Sequence, residues 1–248
     1  MKLTVVGCAA AWTRRAGRAS SSYLIEHDGH AVLFDLGQGT FSELARYRPP
    51  QSVDAVLISH LHADHLVDLV PLRHYLKYEA ASDAAVALHG PAELRRRLDS
   101  LVGEPGFIDA LPGEPLEPGR FELGGFDIEA RHVTHIADSY AFRISVPRAD
   151  APGLVYSGDC GVADDLLPLL RPGDYLLCEA ALGAGDGRTG VHLTASEAAR
   201  VAAEAGASRL VLTHLQDVVD EDRARDQAAQ LFGGTLELAR PGLVVAIS

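Results

Sequence analysis

The chain is poor in several things at once. It has three cysteines, one methionine and one tryptophan, and 22 lysines and arginines against 34 aspartates and glutamates. No apolar run approaches the ~20 residues that a membrane-spanning helix needs, so no membrane span is expected. The start, Met1-Lys2-Leu3-Thr4-Val5-Val6-Gly7, enters a strand-like run at once and lacks the layout of a secretory leader. Cys8, Cys160 and Cys178 lie far apart and form no CxxC pair. Buried thiols in a cytoplasmic protein are therefore expected rather than a disulfide framework. The formal charge of −12 argues against a general polyanion binder, because nucleic-acid affinity rests mainly on Lys and Arg at phosphates. A small phosphorylated substrate is compatible with it; a large RNA is not favoured. No internal repeat is evident.

What is present is the composition of a globular protein, 47% hydrophobic and 23% charged, and 248 residues can bury a large core as one domain or two tightly joined halves. Alternation and turn residues predict strands over 3–7, 22–26 and 31–35, with Asp28-Gly29 turning between the last two. Segment 11–20 carries Arg14, Arg15 and Arg18 beside Gly17 and reads as a basic surface loop, a phosphate-facing role being the alternative. Asp35-Leu36-Gly37-Gln38-Gly39-Thr40 turns into a short helix over 41–47, and two glycines alone are a weak phosphate-loop signal. Further helices are predicted over 66–78 with a kink at Pro71, over 91–101 and 162–170, over 194–206 with Thr194 and Glu197 in capping-box spacing, and over 217–232. Strands are predicted over 55–58, 84–88, 121–123, 126–130, 140–146, 154–157, 175–179 and 210–213, with two more around Pro241-Gly242 and a glycine-rich loop over 183–190. Strands mixed with helices in both halves favour two packed sheets covered by helices, with the site along one rim.

The most informative stretch is Ser59-His60-Leu61-His62-Ala63-Asp64-His65, directly after the apolar strand 55–58. His60 and His62, two apart in extended backbone, point to the same side and can hold one ion. Asp64 suits a helix N-terminus, with His65 in the first turn, and that pair faces a different direction. The cluster suits two neighbouring ions, but four ligands cannot hold both. Three downstream places supply more donors: Arg131-His132-Val133-Thr134-His135, Val155-Tyr156-Ser157-Gly158-Asp159 and Leu210-Val211-Leu212-Thr213-His214, each following a strand or ending one.

SHLHADH at 59–65, the histidine at 135, SGD at 157–159 and LTH at 212–214 resemble, in order and over almost the whole chain, the metal motifs of the metallo-β-lactamase superfamily. The resemblance implies an αββα sandwich of two mixed β-sheets flanked by helices, a single hydrolase domain over 1–248, and two divalent ions, usually zinc with manganese as the alternative. By position, His60, His62 and His135 would bind the first ion, Asp64, His65 and His214 the second, and Asp159 would bridge them. His135 is preferred to His132 because it precedes Ser139-Tyr140-Ala141-Phe142-Arg143 at the distance a related branch shows between its ligand and a Gly-Tyr-Arg. That branch is the ribonuclease Z-like group, which includes cyclic-nucleotide phosphodiesterases. Leu177-Cys178-Glu179-Ala180 resembles its strand with a functional glutamate, and Val191-His192-Leu193-Thr194-Ala195 its His-Ser-Thr motif, with Leu193 replacing the serine. By that analogy Glu179 orients His192, which donates a proton to the leaving oxygen or steadies its charge.

The chemistry so implied is phosphodiester hydrolysis. Two ions ~4 Å apart bridge a water and lower its pKa. Asp64 accepts a hydrogen bond from that water, the hydroxide attacks phosphorus in line, and His192 protonates the alkoxide. Only residues 144–158 separate Arg143 from Asp159, with no room for the RNA-gripping arm that tRNA-maturing members commonly carry there. A small diester such as 3′,5′-cAMP is thus expected ahead of tRNA 3′-end cleavage; a lactone, thioester or amide hydrolase with the same metals is the rival reading. Leu72, Tyr75, Leu76 and Tyr78 suit either a homodimer contact or core packing. Cys160, beside Asp159, reads as a packed thiol.

Overall fold

The computed structural model describes residues 1–80, 85–147, 151–185 and 189–248. Five strands come first: β1 (Lys2–Gly7), β2 (Ser22–His27), β3 (His30–Phe34), β4 (Ala55–Leu57) and β5 (Ala87–His89). Seven follow: β6 (Gly119–Leu123), β7 (Phe126–His132), β8 (Tyr140–Ser145), β9 (Leu154–Tyr156), β10 (Tyr175–Glu179), β11 (Arg209–Thr213) and β12 (Thr235–Leu238). The last, β13 (Val244–Ala246), returns to pair with β1, giving the sheet orders β13-β1-β2-β3-β4-β5 and β12-β11-β10-β9-β8-β7-β6. Helices α1 (Thr40–Leu44), α2 (Ala63–Leu66), α3 (Leu69–Tyr78), α4 (Leu94–Val102), α5 (Ala195–Glu204) and α6 (Glu221–Ala229) cover the outer faces.

The layering follows from period-two side chains. In β10 and β11, Leu177 and Val211 face the core between the sheets, while Leu176, Cys178, Leu210 and Leu212 face outward onto α5 and α6. On the other sheet Phe34 and Leu57 point inward, and Leu33 and Val56 pack outward with Leu44, Leu66, Leu72 and Leu98 of α1 to α4. Both faces are buried, so these strands read as continuous apolar runs. This is the expected sandwich of two mixed sheets flanked by helices. Strands β3 to β5 run parallel, as do β9 to β12, so their C-terminal ends share one direction. The residues that follow those ends build the site.

Several elements differ from the sequence reading. The helix over 66–78 is two helices that part at residues 67–68. Pro71 stands in the first turn of α3, where its missing N–H costs no helical bond, so it does not kink the helix. His62, not Asp64, is the extended residue preceding α2. Over 162–170 only a short 3-10 turn forms, Ala163–Leu166. The last helix starts late because Asp220 caps it, accepting the Arg223 N–H at 3.0 Å. The capping box at Thr194 and Glu197 forms as expected. Ala84 of the predicted strand 84–88, and residues 186–188 of the glycine-rich loop, lie outside the described residues. No helix among the described residues is long and apolar enough to cross a membrane.

Gly37 shows why that turn needs glycine. A Cβ there would lie 1.8 Å from the Asp64 carbonyl oxygen, so the loop after β3 packs backbone to backbone on α2. Gly37→Ala is expected to cost about 2 kcal/mol or more and lower the unfolding midpoint by roughly 4–8 °C. Calorimetry would check this; an unchanged midpoint would contradict so close a contact.

Candidate metal centre

Four connections at the shared rim bring seven side chains together. His60 and His62 follow β4, Asp64 and His65 lie on α2, and His135, Asp159 and His214 follow β7, β9 and β11. His62 Nδ1 is 3.0 Å from His60 Nε2 and 3.1 Å from His135 Nε2. Asp159 Oδ2 lies 3.7 Å from His60 Nε2 and 3.8 Å from His135 Nε2. Nitrogens at the corners of a tetrahedron around zinc are about 3.3 Å apart, so this spacing suits one ion. In the second group, His65 Nε2 and His214 Nε2 are 3.3 Å apart, and Asp64 Oδ2 lies 3.5 and 3.2 Å from them. Asp159 Oδ1 completes it, at 3.4 Å from His65 and 3.5 Å from His214. That oxygen is buried and accepts no well-formed hydrogen bond among the described residues. A buried carboxylate oxygen without a partner is costly, and a cation is the partner that this nitrogen and carboxylate set fits.

Hydrogen bonds behind the rings fix which nitrogen is free. Asp35, buried just after β3, accepts from Ser59 N–H at 2.7 Å, Ser59 Oγ at 2.8 Å, Tyr156 OH at 2.6 Å and His65 Nδ1 at 2.7 Å. An ionised carboxylate only accepts, so His65 carries a proton on Nδ1 and turns Nε2 to the donor group. The Ser59 hydroxyl proton is committed to Asp35, so His60 Nδ1 donates to Ser59 Oγ at 3.1 Å and leaves Nε2 as a lone pair. His135 Nδ1 donates to the Val191 carbonyl at 2.7 Å, with the same result. Asp35 is the residue the sequence reading missed. Its signal was available: an aspartate directly after a buried strand, close before a glycine, much as Asp159 stands after β9. Asp35 and His214 both take left-handed backbone, φ 59° and 58°, a costly conformation typical of residues held for function.

The two groups differ in charge state. Burial lowers His60 well below the ordinary histidine value, with His65 adding to the effect; burial also lowers His62 and His135. Burial works against protonation of His65 as well, but Asp159 and Asp35 outweigh it and hold this imidazole well above its usual value. Burial would raise Asp159, yet His214 and His65 hold it well below the carboxylate range. For Asp64, the hydrogen bond from His214 likewise outweighs burial and lowers the carboxyl.

Beside both groups stands His192, in the loop before α5. Its Nδ1 is 2.9 Å from Glu179 Oε1 and 3.9 Å from Asp159 Oδ2. Glu179, buried at the end of β10, also accepts from Cys160 N–H at 3.0 Å and Ala181 N–H at 2.9 Å. Burial raises the Glu179 carboxyl; for His192 the hydrogen bond to Glu179 and its charge outweigh burial and raise the imidazole. His192, Asp159 and His214 form a third convergence of donor atoms. Leu193 packs in the outer core and offers the centre no polar atom. His132 is exposed and lies tilted against the Tyr140 ring, centroids 4.5 Å apart, outside these convergences. Cys160 is a packed thiol that burial pushes up to about 12. Arg15 and Arg18 pair with Glu221. Leu72 is core, Tyr75 and Leu76 are half-buried, and Tyr78 is exposed.

His135→Ala is expected to remove about one equivalent of bound metal and His132→Ala none, measured by elemental analysis after dialysis against zinc; equal losses would move the ligand assignment. The imidazoles of the first group are neutral at neutral pH and keep only their one ring proton, whereas His65 carries a second, on Nε2, and must give it up. Calorimetric zinc titration in buffers of different ionisation enthalpy should therefore show about one proton released on filling the second position and none on the first. The reverse order would contradict the charge states given above.

A family described as a beta-lactamase superfamily domain matches residues 20–215, which include all seven converging side chains, Glu179 and His192. YhfI of Bacillus subtilis, a probable metallo-hydrolase, is 31% identical over 251 residues, covering 98% of this chain and 99% of that protein. Its crystal structure matches with a TM-score of 0.87 at 29% identity, covering 99% of each chain. A ribonuclease Z of Haloferax volcanii is 28% identical over 303 residues, covering 98% of this chain and 93% of that protein. The crystal structure of a diphosphatase from the PhnP family shares the fold, with a TM-score of 0.75 at 21% identity over 100% of this chain and 98% of the other. With its donor residues at the rim of two facing sheets, the chain belongs to the ribonuclease Z-like branch of the metallo-β-lactamase superfamily and is a metal-dependent hydrolase.

Proposed function

We propose that the chain is a binuclear phosphodiesterase acting on a small diester such as a cyclic nucleotide. The observation that carries this reading is the pair Glu179 and His192, 2.9 Å apart and next to Asp159. Glu179 takes the Nδ1 proton and holds the ring, which leaves the Nε2 proton for an oxygen leaving group. The ribonuclease Z relative and the diphosphatase neighbour, both named for phosphorus chemistry, add support.

His60, His62 and His135 would hold one divalent ion, Asp64, His65 and His214 the other, with one Asp159 oxygen to each. Zinc suits the imidazole-rich set, and manganese is the alternative. Such ions lower the pKa of a water and offset charge on phosphoryl oxygens. Asp35 keeps His65 in the right tautomer through its Nδ1 proton. Asp64, within the second group, can also accept a hydrogen bond from a protonated oxygen there.

The net charge of −12 favours a small substrate over a large RNA. The short β8–β9 connection does not bear on this. β8 starts at the rim, where Tyr140 N–H meets the Ser59 carbonyl at 3.0 Å, and runs away from it, so residues 146–147 and 151–153 lie at the opposite end. The buried free thiols Cys8, Cys160 and Cys178 suit a reducing compartment such as the cytoplasm. Tyr78, 67% exposed on α3, is the side chain that a homodimer through that helix would cover.

The zinc-loaded protein should hydrolyse bis(p-nitrophenyl) phosphate and 3′,5′-cAMP, but not lactones or β-lactams; turnover of the carbonyl substrates alone would refute the proposal. His192→Ala should retain its metal and lose about 100-fold in kcat on 3′,5′-cAMP. The loss should be much smaller on the nitrophenyl diester, whose leaving group departs without a proton. An unchanged rate on the poor leaving group would remove His192 as the acid.

A further inference from the structure

The segment joining β1 to β2 begins and ends against residues of the second donor group. Both of its roots are tied to that group: His214 N–H donates to the Cys8 carbonyl at 3.1 Å, and Ser21 N–H to the Asp64 carbonyl at 3.2 Å. Between them Asp217, just past His214, accepts from the Thr13 hydroxyl at 2.9 Å and from Arg14 N–H at 2.6 Å. Of the three arginines in the segment, Arg15 pairs with Glu221 and Asp217, and Arg18 with Glu221. Arg14 has no ion pair among the described residues, and its guanidinium lies 5.8 Å from the centre of the Trp12 ring. Trp12 is the only tryptophan of the chain, and it is 52% exposed. Tryptophan is highly buried on average, so an indole left open on a pinned loop asks for a partner. Val191, whose carbonyl holds His135, is exposed beside the same centre, and Val218, next to Asp217, is exposed as well.

We propose that Trp12, backed on one face by Arg14, receives the base of a nucleotide substrate on its other face. The proposal rests on the phosphodiesterase reading of the metal centre. Stacking accepts any base, because every base has a π-face. The guanidinium behind the ring adds cation–π attraction, and Arg14 is the cation of this loop still available to a phosphate oxygen. The loop needs no base-specific hydrogen bonds to do this, which predicts tolerance among purines.

As the only tryptophan, Trp12 reports the contact by its own fluorescence. In the zinc-loaded protein, adenosine 5′-monophosphate should quench the emission saturably and ribose 5-phosphate should not. Trp12→Ala should raise KM for 3′,5′-cAMP about ten- to hundredfold, leave kcat/KM for methyl p-nitrophenyl phosphate unchanged, and Trp12→Phe should recover most of the loss. No quenching by the nucleotide, equal quenching by the sugar phosphate, or an unchanged KM in a folded Trp12→Ala protein would each overturn the platform. Those results leave the phosphodiesterase reading standing; that reading fails instead if the unaltered protein does not hydrolyse methyl p-nitrophenyl phosphate.

Discussion

Asp159 sits where both sheets end, with one oxygen turned to His60 and His135 and the other to His65 and His214. Its donors come from β4, α2, β7 and β11, so a single buried carboxylate is the point where the two halves of the sandwich meet chemically. The parallel strands make this possible. Their C-terminal ends converge, and each can deliver one short, rigid connection to the rim. Desolvating so many imidazoles and carboxylates is unfavourable in isolation, and opposite charges with satisfied hydrogen bonds are what offset it. Asp35 does this on the far side of His65, and Asp159 does it on the near side.

Much of this was legible in the sequence because each donor residue follows a strong local signal. A buried apolar strand of three to six residues ending in His or Asp recurs at 57–60, 156–159 and 213–214, and such strands are read reliably. The choice of His135 over His132 rested on spacing alone; in the structure His135 Nε2 reaches His62, while the exposed His132 lies tilted against the Tyr140 ring. Asp35 was lost because its partners, Ser59, His65 and Tyr156, are distant in sequence. Helix boundaries failed where tertiary demands overrode periodicity. Asp217 looked like the first residue of an amphipathic helix, but its carboxylate is engaged with Thr13 and Arg14, so the helix waits for Asp220.

The basic loop shows how little residue type decides without pairing. Arg14, Arg15 and Arg18 are equal in sequence, yet two of them are held by acids across the chain. The glycines after β3 are similar. Read as a turn into a helix they hint faintly at phosphate binding, but Gly37 is there because the Asp64 carbonyl occupies the place of a side chain. Its role is to let α2, and with it two of the donors, sit hard against the loop that carries Asp35.

Two carboxylate–imidazole pairs flank the centre, and their differences assign opposite tasks to similar chemistry. His65 is wholly buried, and its Nε2 faces Asp64, Asp159 and His214, so a proton there competes directly with a cation. His192 keeps 21% of its side chain open, and its Nδ1 is already given to Glu179. An imidazole with one nitrogen anchored and the ring partly wet can exchange its remaining proton with solvent, which an imidazole sealed in the core cannot do. Burial, rather than the identity of the carboxylate, therefore separates the histidine suited to holding an ion from the one suited to moving a proton.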